Sequence, residues 1–103
     1  LAAVNGSASL LAELSAIFSS EGPRLLAQLE TAIQEADIPG LRIAAHTLKG
    51  SARYFGENPV SERAFEIEKL VANDTIEGIE KPLEELRAAL PQLLIAIQEP
   101  PSV

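Results

Sequence analysis

Residues 41–55 of the chain read LRIAAHTLKGSARYF, and their apolar side chains recur at spacings of three and four. That period is typical of an α-helix rather than a strand. On a helical wheel one side carries the apolar set Leu41, Ala44, Ala45, Leu48, Ala52 and Phe55. The opposite side carries four nitrogenous side chains, Arg42, His46, Lys49 and Arg53. The stretch therefore predicts an amphipathic helix that buries one face and exposes the only histidine of the chain.

Apolar periodicity also predicts helices in the first third of the chain. The first covers residues 7–19, with Leu10, Leu14 and Ile17 on one line, and the second covers residues 25–36. Between them stand a glycine and a proline at positions 22 and 23, the residue types least compatible with a helix interior. The segment before this pair is therefore expected to form a short additional helix.

Cap residues delimit the next two helices. Asp37 is suited to cap the helix that contains residues 41–55, with a proline in its first turn. Gly56 is suited to end that helix in the left-handed conformation. Asn58 and Pro59 then supply a cap and a first-turn proline for a helix with the apolar line Val60, Ala64, Ile67 and Val71.

An apolar seam with alternating spacings of three and four runs from Ile76 to Ile97. Pro82 and Pro91 interrupt the seam, and each removes a backbone hydrogen bond, which predicts a kink or a helix that starts near Pro82. Short connections place consecutive amphipathic helices antiparallel. We therefore predict an all-α fold, an up-and-down four-helix bundle with a short additional N-terminal helix.

Length and composition fit one domain over residues 1–103, with a core at about 8–98 and a tail or linker at 99–103. The formal charge of −7 disfavours nucleic acid as a partner, because binding phosphates requires a basic face. The chain has no cysteine, which excludes disulfides, thiolate metal sites and a thiol nucleophile. No apolar run approaches the roughly 20 residues that cross a bilayer, so we expect no membrane insertion.

The neighbourhood of His46 is chemically distinctive. No acidic residue occurs in residues 38–56, although the whole chain is acidic, so a local charge of +3 surrounds the histidine. Gly50 lies one turn after His46, and a glycine inside a helix costs about 1 kcal/mol relative to alanine. Its lack of a side chain leaves room for another molecule to approach the imidazole. Neutral imidazole is a nucleophile near neutral pH, and Lys49 can attract phosphoryl oxygens. These residues predict a phosphorylated histidine.

The segment Ala45-His46-Thr47-Leu48-Lys49-Gly50-Ser51, followed by Gly56 and then a helix with Ala64, Ile67 and Glu68, resembles the signature of histidine-containing phosphotransfer (HPt) domains. The resemblance covers roughly residues 10–97. It implies a four-helix bundle in which His46 accepts a phosphoryl group through its outer ring nitrogen. Lys49 would interact with that group, and Gly50 would keep the approach open.

The resemblance also implies partners and location. In this family the phosphoryl group comes from a receiver-domain aspartate and goes to another receiver, so the chain would be a carrier rather than an enzyme. Receiver domains of response regulators are the expected partners, and a histidine kinase in the same chain is a further one. No cofactor is expected here, because the receiver holds the Mg²⁺. We expect a monomer that is cytoplasmic, or a cytoplasmic domain of a membrane-bound sensor kinase.

Further residues are candidates for contact with the phosphoryl group or the partner. Arg42 and Arg53 either serve this role, only solubilise the surface, or pair with a glutamate at helical spacing. Ile43 and Tyr54 at the edges of the exposed stripe, with Phe18 from the first helix, either form a docking rim or pack against adjacent helices. The acidic residues Glu57, Glu62, Glu66 and Glu68 are interpreted as a solvated face.

Two other functions remain open from the sequence. The chain could be a purely structural or dimerising helical module, in which His46 is incidental. It could also be the dimerisation and phosphoacceptor segment of a histidine kinase. Kinase segments of that type usually place an acidic residue directly after the histidine, whereas Thr47 follows here.

Overall fold

The computed structural model describes residues 2–98, with side chains from residue 9 onward. Helices account for most of this part of the chain, and no strand occurs within it: α1 (Ala2–Gln34), α2 (Ile38–Ala52) with a 3₁₀ turn at Arg53–Phe55, α3 (Pro59–Val71) and α4 (Glu80–Gln98). Helices that follow one another in the chain contact each other, and α4 returns to α1. The predicted all-α, up-and-down four-helix bundle is confirmed. The predicted tail at 99–103 lies outside the described residues.

The predicted break in the first third of the chain is wrong, because α1 runs without interruption through Gly22 and Pro23. Gly22 serves helix packing instead. A Cβ atom at this position would lie 3.2 Å from Leu90 Cδ1 on α4 and 3.2 Å from the ring of Phe18. Buried residues on both sides, Phe18 and Leu25, anchor the helix to the bundle across the proline. There is therefore no separate N-terminal helix.

The core is aliphatic, as the low aromatic content predicts. Every helix contributes apolar residues that are buried, among them Leu29, Leu41, Leu48, Ile67, Val71 and Leu86. One aromatic pair supplements them, since the rings of Phe18 and Phe55 meet edge to face with centroids 5.6 Å apart. The face of α2 opposite this core is the face that carries His46.

The predicted ends of α2 and the predicted start of α3 are confirmed. Asp37 Oδ1 accepts a hydrogen bond from the amide of Gly40 at 3.1 Å and so caps α2. Gly56 ends the 3₁₀ turn with a φ of 84°, a conformation that glycine adopts without strain. Asn58 and Ser61 form a reciprocal capping box at the start of α3.

The two prolines of the last helix have different positions. Helix α4 begins at Glu80, so Pro82 lies in its first turn, where the missing amide hydrogen removes no helical bond. The predicted start near Pro82 is confirmed, whereas Pro91 lies inside the helix. Ile79 precedes the helix and is buried in the core. Among residues 2–98, no helix combines the length and apolar character that a bilayer crossing requires.

Asn58 joins α2 to α3, and its removal tests how this junction stabilises the fold. Its Oδ1 accepts from the Ser61 amide at 3.0 Å, and its Nδ2 donates to the carbonyls of Ala52 and Gly56 at 2.9 and 2.8 Å. We expect Asn58→Ala to lower the free energy of unfolding by about 1–3 kcal/mol, because it removes a cap and leaves carbonyls without a donor. Urea unfolding measures this loss.

Asn73→Ala is the matched control for this substitution. Asn73 is exposed in the turn that follows α3. We expect the free energy of unfolding of the Asn73→Ala variant to stay within about 0.5 kcal/mol of the parent value. Equal losses for the two variants would contradict the junction role of Asn58.

Candidate functional site

His46 lies in the middle of α2 on the face opposite the core, and its side chain is 67% exposed. Leu41, Ala45 and Leu48 on the other face are fully buried, which fixes the rotation of the helix about its axis. The predicted exposure of the histidine is therefore explained by the apolar pattern of its own helix. The surface placement makes the ring accessible to another macromolecule.

A carboxylate from α3 holds one nitrogen of the imidazole. Glu68 Oε2 lies 2.6 Å from His46 Nδ1, across a sequence separation of 22 residues. An ionised carboxylate can only accept, so Nδ1 carries the hydrogen and donates it. In the neutral ring the proton is then absent from Nε2, whose lone pair is available for attack. The pair with Glu68 thus leaves the outer nitrogen, Nε2, as the unprotonated nitrogen of the neutral ring.

The same carboxylate binds Lys49. The ammonium Nζ lies 2.6 Å from Glu68 Oε1, and the lysine side chain is only 14% exposed. The contact is an ion pair between the ammonium and a buried oxygen of the carboxylate. Glu68 therefore joins the histidine and the lysine through its two oxygens.

The pKa of the Glu68 carboxyl reflects two opposing effects. Partial burial disfavours the charged form and by itself raises the pKa. The short contacts from Lys49 and His46 together outweigh burial and lower the pKa below its ordinary value. The carboxylate is therefore ionised at neutral pH, as its role of acceptor requires.

Gly50 leaves open space next to the imidazole. It is exposed in α2, one turn after His46, and a Cβ atom built at this position would meet no heavy atom within 4 Å. No neighbour in the fold therefore requires a glycine here. The space beside the imidazole at this position is open to solvent.

The two arginines of the exposed face are occupied elsewhere. Arg42 donates to the carbonyl of Val71 and to Asp74 Oδ1, at 3.2 and 3.3 Å, at the end of α3. Arg53 Nε donates to Glu57 Oε1 at 2.8 Å. Carboxylates from outside residues 38–56 thus pair with all three cations, and the expected local charge of +3 around His46 is wrong. A stretch of sequence without acidic residues can therefore still have acidic side chains around it in the folded chain.

Of the three residues predicted to form a docking rim, two are exposed and one is buried. Ile43 and Tyr54 are exposed, as a rim requires. Phe18 is only 2% exposed and packs on Phe55, so its assignment to the rim is wrong. Its position on the line of Leu25 and Leu29 turns it toward the core. The neighbouring Ile17 is the exposed apolar residue at this level of α1.

Sequence reasoning missed the contacts that two residues on α3 make at this site. Glu68 was grouped with a solvated acidic face, yet its side chain is 21% exposed and bridges His46 and Lys49. The only signal for it was its place in the family signature. Phe65 had no assigned role, and its ring lies beside the ammonium groups of Lys49 and Lys69, at 4.9 and 4.7 Å from the centroid.

Comparison with known families agrees with this geometry. Within residues 2–98, no group of acidic and histidine side chains is arranged to hold a metal ion. No curated protein and no solved structure matches the chain. A family model described as "Hpt domain" matches residues 13–98, which include α1 from residue 13 onward, the other three helices and the site around His46. The chain therefore belongs to the Hpt domain family, whose members are phosphocarrier modules of two-component phosphorelays.

Proposed function

We propose that this chain accepts a phosphoryl group on His46 Nε2 from the phosphorylated aspartate of one receiver domain and delivers it to the aspartate of another. Membership of the Hpt family supports a histidine phosphotransfer role and receiver domains as partners. One observation carries the assignment to His46: its Nδ1 is bound to Glu68 while the rest of the ring faces outward.

The transfer step can be written with these groups. The Nε2 lone pair attacks phosphorus, the bond from phosphorus to the aspartyl oxygen breaks, and the aspartate leaves as a carboxylate with the electron pair. The imidazole retains its Nδ1 hydrogen and gains positive charge. Glu68 lies where this charge develops and stabilises it. Transfer to the second receiver is the same step in reverse.

Lys49 and Gly50 have supporting roles in this proposal. The Lys49 ammonium is one helical turn from His46, within reach of the oxygens of a phosphoryl group on Nε2, and it offsets their negative charge. Gly50 allows the partner to bring its aspartate in line with the ring. The Mg²⁺ that assists the transfer is assigned to the carboxylates of the receiver.

The carrier function is favoured over the kinase dimerisation segment. One chain supplies all four helices of the bundle within residues 2–98, so the core is built without a second copy. We therefore propose a monomeric carrier. A purely structural module would not need the bridge from Glu68 to His46 on its surface.

Replacement of the phosphoacceptor tests the proposal directly. Incubation with phosphoramidate, or with a receiver domain phosphorylated by acetyl phosphate, is expected to place one phosphoryl group on the parent chain. ³¹P NMR and mass spectrometry locate it on His46. We expect His46→Gln to take up none, with an unchanged helical circular dichroism spectrum. Uptake by this variant that equals the parent value would eliminate the carrier function.

Gly50→Ala is expected to separate stability from transfer. Alanine raises the free energy of unfolding by about 0.5–1 kcal/mol, because the site has room for a methyl group and glycine is a poor helix former. Transfer from a phosphorylated receiver should slow at least threefold, while uptake from the much smaller phosphoramidate stays within about twofold. Rapid quench-flow experiments measure the rate of transfer from the receiver and the rate of uptake from phosphoramidate.

Thr31→Ala is the control for stabilisation alone. Thr31 is exposed on α1, and alanine there also improves helix propensity. We expect its transfer rate from the receiver to equal that of the parent. A Gly50→Ala variant with parental transfer from the receiver would show that access does not explain the glycine.

Glu68→Gln tests the orientation of the imidazole. The amide keeps the size of the side chain but loses its charge, and its NH₂ group can present a donor to Nδ1. We expect phosphoryl uptake from phosphoramidate to fall about tenfold to a hundredfold, by analogy with the loss of a carboxylate that orients a metal-binding histidine. Rates within twofold of the parent would contradict the orienting role.

The pH dependence of stability checks that Glu68 acts as an anion. Its pKa is lowered in the folded chain, so its stabilising contribution is present above the ordinary value near 4.5 and is lost as the pH falls through the lower folded value. The difference in unfolding free energy between parent and Glu68→Gln should be larger at pH 7 than at pH 3. An equal difference at both values would contradict an ionised Glu68.

A further inference from the structure

Phe65 occupies a position that core packing does not explain. It lies on α3 between Ala64 and Ile67, which are fully buried, but its own side chain faces outward and is 38% exposed. A large apolar ring in this place gains less from burial than a core residue does. Its neighbours are cations: Lys49 Nζ, Lys69 Nζ and Arg53 Cζ lie 4.9, 4.7 and 5.7 Å from the ring centroid.

The contact with Lys49 is the strongest of the three on physical grounds. A cation beside an aromatic face gains little where water surrounds it and more where water is excluded. The Lys49 side chain is 14% exposed, whereas that of Arg53 is 45% exposed and Lys69 is also exposed. Arg53 is moreover paired with Glu57. Removal of the ring would therefore affect Lys49 most.

Lys49 must satisfy two conditions in the proposed transfer. It has to stay near His46 in the free protein, where Glu68 holds it at 2.6 Å, and it has to turn toward phosphoryl oxygens once Nε2 is phosphorylated. A second carboxylate would neutralise the ammonium and compete with the phosphoryl group. An aromatic ring attracts the cation without cancelling its charge and without a strict direction.

We propose that Phe65 is a positioning residue of the phosphotransfer site, whose ring holds the Lys49 ammonium beside His46 while that ammonium exchanges Glu68 for the phosphoryl oxygens. This inference rests on the proposed function of His46 and Lys49. It adds to the site a residue that does not touch the reacting atoms.

A double-mutant cycle tests whether Phe65 acts through Lys49. Phosphoryl uptake on His46 from phosphoramidate is measured for the parent, Phe65→Leu, Lys49→Gln and the double variant. We expect Phe65→Leu to slow uptake about threefold to tenfold in the parent background, as expected for a partly desolvated cation–π contact. In the Lys49→Gln background the same substitution should change the rate by less than about twofold.

Phe65→Tyr and Lys69→Gln complete the design. Tyrosine keeps an aromatic face and should restore the rate to within about twofold of the parent. The effect of Phe65→Leu should persist in a Lys69→Gln background, because Lys69 is exposed and Lys49 remains. Proton NMR provides a readout without activity: the ε-methylene protons of Lys49 should show an upfield ring-current shift that Phe65→Leu removes and Phe65→Tyr retains.

Three outcomes would overturn the inference: a parental rate for Phe65→Leu, an equal loss with and without Lys49, or a loss that disappears only when Lys69 is replaced. Circular dichroism melting of each variant separates these results from unfolding. A different result would contradict the proposed function, namely that the parent chain takes up no phosphoryl group on His46.

Discussion

The bridge that Glu68 makes between His46 and Lys49 is the contact on which the arrangement of the site depends. It links α2 to α3, so it exists only when the two helices are held in the correct register. That register follows from the buried faces of both helices and from Asn58, whose side chain bonds to the end of one helix and the start of the next. Packing and caps that have no chemical role thus determine which imidazole nitrogen faces the solvent.

Local signals in the sequence predict the local parts of this structure. The caps at Asp37 and Asn58, the end at Gly56 and the exposed face of α2 all follow from residue types and spacings within a few positions. The prediction of a break at Gly22 and Pro23 is wrong because of a contact between residues that are distant in sequence. Leu90, far away in sequence, lies against that glycine, so a residue that signals a helix end locally serves the packing of two helices instead.

The site likewise has a part that local sequence signals predict and a part that they do not. His46, Lys49 and Gly50 could be recognised because they lie on one face of one helix. The partners that orient them come from α3, and helical spacing says nothing about which side chain of a second helix will meet the first. The acid-free window was misleading for this reason at Arg42 and Lys49, because Asp74 and Glu68 approach them from beyond α2. Arg53 pairs instead with Glu57, which lies just past the window at helical spacing. Charge counted along the chain does not equal charge in space.

These pairings have a consequence for a carrier in the proposed role. A phosphoryl group on Nε2 brings negative charge to an already acidic domain, and the nearest cation is engaged with Glu68. The ammonium therefore has two competing anions, one fixed in the protein and one that arrives with the phosphoryl group. A lysine bound only by the phosphoryl group would stabilise the phosphorylated state and slow its release. Competition from Glu68 reduces that stabilisation, so the group can be both accepted and passed on.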